Sequence, residues 1–275
     1  MFLWASAFVA IRQAGRQISP GALSLGRLAI GSALLGGAAL THGRGRPSVR
    51  DWRLLVVCGV VWFGIYMVTL NEAERHMDAG IAAMIVYIAP ILIVALAGLL
   101  LGEGFPRGLL AGGALAFVGV VVIGVSTSSG SHADTTGVLL CIVAAISYAV
   151  GVVSQKPLLD HLPALMATWL SCTIGMIACL PFVPALVYDL GHASALSIAL
   201  MVYLGAGPTA LAFTTWAYAL RRTTAGRMGA TTYLVPPLAL LMGWLLLGEQ
   251  PALLALGGGV LCLGGVGVAR LVAPA

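Results

Sequence analysis

The sequence predicts an all-α integral membrane protein, with ten transmembrane helices arranged as two inverted five-helix repeats around a central cavity. Three observations predict it. The composition suits a solvent of lipid: 60% of residues are hydrophobic, mean hydropathy is +1.03, and 8% are charged, against the roughly 25% usual in soluble domains. One stretch occurs twice: residues 87–103 (YIAPILIVALAGLLLGE) and 233–249 (YLVPPLALLMGWLLLGE) agree at 8 of 17 positions at an offset of 146. Leucines could coincide by chance in so apolar a chain, but not a tyrosine, a proline and a terminal Gly-Glu in register. Finally, charge other than Arg27 gathers at the ends of, and in the short connections between, apolar runs of about 20 residues, enough at 1.5 Å per residue to cross a hydrocarbon core of roughly 30 Å.

Ten crossings follow, at about 1–16, 20–41, 53–71, 78–101, 107–126, 136–156, 162–182, 194–219, 226–248 and 251–271. The offset extends beyond the repeated stretch, with Ala79-Gly80 over Ala225-Gly226 and Gly112-Gly113 over Gly258-Gly259. The units are therefore 1–126 and 136–275, joined by a polar Ser/Gly-rich linker at 127–135.

Orientation follows from the basic residues. With the N-terminus in the cytoplasm, ten Lys and Arg fall on inner connections (Arg44, Arg46, Arg50, Arg53, Arg107, Lys156, Arg221, Arg222, Arg227, Arg270) and three on outer ones (Arg12, Arg16, Arg75), a positive-inside bias that puts both termini inside. Five crossings is an odd number, so the second copy enters the membrane upside down, the arrangement of many secondary transporters. The net charge of +5 and pI near 9.2 thus reflect topology, and no nucleic-acid partner is implied.

In the first crossing, Trp4-Ala5 pairs with Tyr148-Ala149 and Arg12 with Lys156 at an offset of 144. The sixth helix has more chain before this point, so helix 1 reads as about two turns short, as a truncated gene start would leave it. It lacks the basic region and small-residue cleavage site of a signal peptide. Trp4 and Tyr148, as repeat mates, would face each other across the centre as a platform for amphipathic solutes; Ser6 and Ser147 lie beside them, and Trp169, Trp216 and Tyr218 are further aromatic candidates against a packing or interfacial role.

In the second crossing, Arg27 is the single charge well inside a span. Such a charge is costly unless it pairs, snorkels or lines water, so a substrate contact and snorkelling to the outer headgroups both stand. Its repeat mate falls near Leu170-Ser171, and this asymmetry suits a ligand with one anionic end. In the fourth and ninth, Tyr87 and Tyr233 precede Pro90 and Pro236 by one turn. A proline inside a membrane helix frees a carbonyl and kinks the helix, which is tolerated where the freed group faces a cavity. The tyrosines are binding candidates and the prolines hinge candidates. Glu103 and Glu249, closing the two stretches, are either gates or structural helix ends.

Helices 5 and 10 carry most of the clustered glycine, including a small-x-x-x-small pair at Gly108 and Gly112. Close packing within a monomer explains them, with a dimer contact as the alternative. The five cysteines, Cys58, Cys141, Cys172, Cys179 and Cys262, have no metal-ligand spacing and read as apolar fillers. All nine acids and all five histidines fall at or beyond the ends of the crossings as drawn. No catalytic set, metal site or cofactor is implied, which argues against a polytopic enzyme. A proton pump usually keeps a carboxylate or His near mid-membrane, so facilitated diffusion or exchange is the simpler energetics.

These residues resemble a known family. Ten helices in two inverted halves, Trp4-Ala5-Ser6-Ala7-Phe8 in the first, Pro20 followed by Arg27 in the second, and Leu-Leu-Leu-Gly-Glu closing the fourth and ninth with proline soon after, look like the drug/metabolite transporter superfamily. Within it the chain is similar to EamA-type exporters, and more narrowly to YddG-like amino-acid exporters. The resemblance covers essentially the whole chain. It implies a basket in which helices 1–4 and 6–9 line a cavity with 5 and 10 behind. It also implies a secondary transporter of the bacterial inner membrane that exports amino acids or similar small metabolites by alternating access. A multidrug or nucleotide-sugar carrier is the alternative, and a channel or receptor a remoter one.

Overall fold

The computed structural model describes residues 1–42, 45–76, 82, 85–127, 135–247 and 252–271, and these are helical with no strand. The helices are α1 (Phe2–Ala14), α2 (Pro20–His42), α3 (Val49–His76), α4 (Ala89–Leu100), α5 (Arg107–Thr127), α6 (Thr135–His161), α7 (Ala164–Ala178 and Leu180–His192, bent by 52°), α8 (Ala195–Leu220), α9 (225–247) and α10 (Leu253–Leu271). Five of them (α2, α3, α5, α6 and α8) are each long and apolar enough to cross a membrane, and the bent α7 makes a sixth. The apolar helices Phe2–Ala14, Ala89–Leu100 and Leu253–Ala269 are shorter.

Two spans differ from the sequence-based boundaries. α3 runs from Val49 rather than 53 because Ser48 and Asp51 form a reciprocal cap, Asp51 N–H donating to Ser48 Oγ (3.2 Å) and Ser48 N–H to Asp51 Oδ2 (2.7 Å). It also continues to His76, so Glu72 and Glu74 lie within the helix rather than beyond it. Hydropathy ended the span where polar residues began, but a helix persists through polar residues as long as its backbone bonds are made. Likewise, the chain after 182 is helical to His192, beyond the bend that follows Ala178.

The repeat is visible in irregular backbone. α3 passes through a π-helical stretch at Cys58–Tyr66, and α8 through one at Gly205–Leu211, the same place at an offset of about 146. The fourth helix is interrupted by a turn at Tyr87-Ile88, and α9 by a 3-10 turn at Thr232–Leu234, again repeat-equivalent. Pro90 and Pro236 are therefore not kinks inside continuous helices. Each stands in the first turn of the helix after the break, where a missing N–H costs no intrahelical bond.

α5 and α10 form the most extensive helix pair. A methyl group on Gly112 would come within 2.5 Å of the Gly265 carbonyl oxygen, and one on Gly119 within 2.5 Å of that of Gly258. Gly112, Gly119, Gly258 and Gly265 are thus used inside the chain, whereas Gly113, Gly257, Gly264 and Gly267 meet nothing within 4 Å. Cys262 Sγ donates to the Ala116 carbonyl across the same interface (3.3 Å).

The two ends of the bundle are tied differently. At one, Ser19 N–H and Oγ both donate to Asp189 Oδ2 (2.7 and 2.6 Å), joining α2 to the end of α7. At the other, the chain leaves α4 through Gly102, whose φ of +69° lies in the left-handed region, and Glu103 N–H returns to the Ala97 carbonyl (3.3 Å). This turn aims the Glu103 carboxylate at the start of α9. Oε1 accepts from Ala225 N–H (2.6 Å), Oε2 from Gly226 N–H (3.0 Å), and Thr224 Oγ1 takes Arg227 N–H. Three of the N–H groups left without helical partners at this N-terminus are satisfied, two of them by an anion from the other half of the chain. Nearby, Lys156 Nζ donates to the Leu220 carbonyl at the end of α8 (3.0 Å).

Candidate functional site: a central aromatic cavity

A partly open cavity lies between α1, α2, α3, α6, α8 and the breaks before Pro90 and Pro236, with about 60 Å³ of room for the centres of water-sized molecules. Its floor is aromatic. Trp62 stacks on Tyr148 (centroids 5.5 Å apart, planes at 20°) and meets Phe213 edge-on (5.0 Å, 72°). Trp4 packs edge-on against Phe213 (5.2 Å), tilts against Trp216 (5.1 Å), and is fixed by its indole N–H on the Pro208 carbonyl (3.2 Å). Proline at 208 sits in the π-helical stretch of α8.

Among the described residues the wall carries one cation. Arg27 is 5% exposed, and its Nε donates to Thr209 Oγ1 (3.1 Å), which holds the guanidinium in place. Among the described residues no other hydrogen bond and no ion pair engages it, so its remaining donors are available to a ligand. Asn71, also on the wall, donates to Ser24 Oγ (3.0 Å). Pro90 and Pro236 follow by four residues Val86 and Thr232, which border the cavity. Among the described residues no three His, Cys, Asp or Glu side chains gather as a metal site would require.

Of the residues singled out from sequence, the structure places Trp4, Arg27, Tyr87 and Tyr148 on this wall. Successive ring contacts through Phe213 and Trp62 link Trp4 to Tyr148. Ser6, Trp169 and Tyr233 lie elsewhere. The Ser6 hydroxyl turns to Tyr203 Oη (2.6 Å) and the Leu3 carbonyl, Trp169 packs on Gly36, and Tyr233 is 1% exposed behind Tyr87, among Val120 and Cys262. One-dimensional spacing names the helix but not the face, and these three point to neighbouring helices. Glu103 closes one end of the bundle, whereas Glu249 lies outside the described residues.

Sequence reasoning missed Phe8, Trp62, Tyr66, Asn71, Phe213 and Thr232. Trp62, Tyr66 and Asn71 all belong to α3, where the π-helical stretch shifts which residues face inward, so a regular 3.6-residue period does not select them. A signal was available in Thr232, the neighbour of Tyr233 and the repeat mate of Val86.

Comparison with known proteins bears on the whole chain. The EamA-like transporter family matches residues 1–125 and again 135–271. A probable terminal-alkyne amino-acid exporter of Streptantibioticus cattleyicolor is 39% identical over 264 residues, 96% of this chain and 88% of that protein. A probable amino-acid metabolite efflux pump of Salmonella typhimurium is 28% identical over 80% of this chain and 77% of its own. A crystal structure at 22% identity superposes with a TM-score of 0.79, covering 98% of this chain and 93% of the other, and shares the fold. With the family matched twice in succession, once to each half, the chain is a multi-pass membrane protein of the EamA-like transporter family.

Proposed function

We propose that this protein exports amino acids or closely related zwitterionic metabolites across the bacterial inner membrane by alternating access, with both termini in the cytoplasm. The observation that carries the reading is Arg27, the one cation among the described residues of a largely aromatic and aliphatic cavity wall. A carboxylate fits its free donors, and an apolar or aromatic side chain fits the floor of Trp4, Trp62, Tyr148 and Phe213. The names of the two exporter relatives support the same class. A nucleotide-sugar would bring a diphosphate to a wall that carries a single cation.

The cavity lies toward the ends of α1 and α3 and the start of α2, which the basic residues assign to the outside; the end held by Glu103 and Lys156 is then the cytoplasmic mouth, closed. In the opposite state the Glu103 contact with α9 breaks, with the segments beyond Pro90 and Pro236 as the moving parts. Facilitated diffusion or exchange is the energetics, the protein acts as a monomer, and lipid surrounds its apolar outer surface, where Leu40, Leu99 and Leu253 are exposed.

The test is counterflow in proteoliposomes with radiolabelled amino acids, a cationic dye and a nucleotide-sugar side by side. Amino acids alone should exchange; dye or nucleotide-sugar counterflow without amino-acid counterflow would replace the reading. A cysteine at Ser194 should label from outside and one at Arg222 from inside, and reversed labelling would invert the topology.

A further inference from the structure

Six side chains outside the cavity carry a buried polar atom without a hydrogen-bond partner among the described residues, and besides Glu74 and Tyr233 four of them lie toward one end of the bundle. The four are Gln155 on α6, with both amide atoms unpaired, Thr168 and Ser171 on α7, and Trp216 on α8 through its indole N–H. The first three are 0% exposed and Trp216 is 3%. Ser171 lies beside the Cys58 thiol, without a hydrogen bond of acceptable length and angle. Their helices pack around one apolar cluster that includes Val152, Ala167, Cys172 and Trp216 itself. They sit within about two turns of the end that Glu103 and Lys156 close. Buried polar groups are almost always paired, because desolvating them without return is costly. Four orphans in one region of a well-packed core call for a second state in which they are satisfied.

The repeat identifies that state. At the offset of 144 that pairs Trp4 with Tyr148, Gln155 corresponds to Ile11 and Ser171 to Arg27; at 146, Trp216 corresponds to Leu70. Arg27 and Ser171 are each the eighth residue of their helix. Ile11, Arg27 and Leu70 all line the open cavity. When inverted halves exchange conformations, residues of the second half take up the roles of their mates in the first. We infer that Gln155, Thr168, Ser171 and Trp216 wall a second, loading cavity for the exported zwitterion, which opens at the Glu103 end as the first cavity closes. It would hold its ligand through neutral hydrogen bonds and an indole face, since Ser171 stands where the first cavity has a guanidinium.

This rests on the alternating-access reading above, and its test separates the two. In a variant with all five cysteines replaced, single cysteines at Thr168 and Ser171 are exposed in proteoliposomes to a membrane-impermeant thiosulfonate from either face. Labelling is expected from the Glu103 face only. It should be at least tenfold faster when Glu103→Gln is added, and slowed at least fivefold by an equimolar mixture of the twenty L-amino acids. If the same vesicles carry out amino-acid counterflow but labelling ignores Glu103→Gln or the amino acids, the second cavity is overturned and the transport function stands. If no amino acid is carried, the function falls and this inference with it. A second variant, Gln155→Leu, removes two orphan atoms at similar volume. It should raise Tm and slow counterflow at least tenfold, whereas a raised Tm with unchanged counterflow would show the amide to be of no use to the cycle.

Discussion

Tyr87 and Tyr233, repeat mates 146 residues apart, meet with ring centroids 6.4 Å apart and planes tilted by 38°. The pair brings the two halves together at the centre of the bundle, yet its members are not equivalent: Tyr87 lines the cavity, while the Tyr233 hydroxyl is buried with no partner among the described residues. Tyr233→Phe removes an unpaired buried hydroxyl and should stabilise the protein by about 1 kcal/mol, leaving substrate affinity within about twofold. Tyr87→Ala, by contrast, should weaken binding roughly tenfold, about 1.4 kcal/mol. Thermal unfolding and binding titrations on both variants check the contrast.

Arg27→Gln keeps a polar group of similar reach but removes the charge. A hydrogen bond to a charged group contributes about 1.5–3 kcal/mol, so zwitterionic amino acids should bind roughly 10- to 100-fold more weakly. Their decarboxylated amines should be affected little, and Tm should not fall. Equal effects on amino acid and amine would return Arg27 to a structural part.

At the closed end, Gly102→Ala places a side chain at a φ of +69°, a strain of about 1–2 kcal/mol, and turns Glu103 away from α9. Hydrogen exchange at the amides of Ala225 and Gly226 should then quicken by about tenfold. Glu103→Gln, which keeps the shape but loses the charge, should quicken exchange there to a similar degree. Unchanged exchange in both variants would mean that the carboxylate holds nothing shut.

Glu74 is a half-buried acid on α3. Its Oε1 is buried with no partner among the described residues, and it lies within electrostatic reach of Arg12 and Arg27. Among the described residues the cavity wall holds no carboxylate and no histidine. A pH gradient imposed on proteoliposomes is therefore expected to drive no accumulation above equilibrium, and Glu74→Gln to leave exchange unaltered between pH 6 and 8, a range chosen to span the ordinary pKa of histidine at about 6.5. Uphill accumulation that Glu74→Gln abolishes would instead make this carboxylate the coupling group.

What the sequence by itself determined is the part of the architecture written in composition and register. Apolar runs define helices because every backbone group must find its partner within the segment, and the doubled Tyr-x-x-Pro positions mark repeat-equivalent breaks. Arg27 was legible for the same reason, since a charge inside an apolar run stands out on the line of the chain.

Which face each side chain presents was decided only by the tertiary structure. Tyr87 and Tyr233 share a motif, but Tyr233 packs behind its mate; Ser6 and Trp169 turn to neighbouring helices; and the π-helical stretch of α3 rotates Trp62, Tyr66 and Asn71 inward. Glu103 read as a helix end, and its bond to Ala225 and Gly226 is formed only when segments 122 residues apart in the chain are brought together. Local hydropathy records whether a residue prefers lipid or water. It does not record which of several apolar neighbours the residue meets, and that choice, made by packing, shapes the cavity.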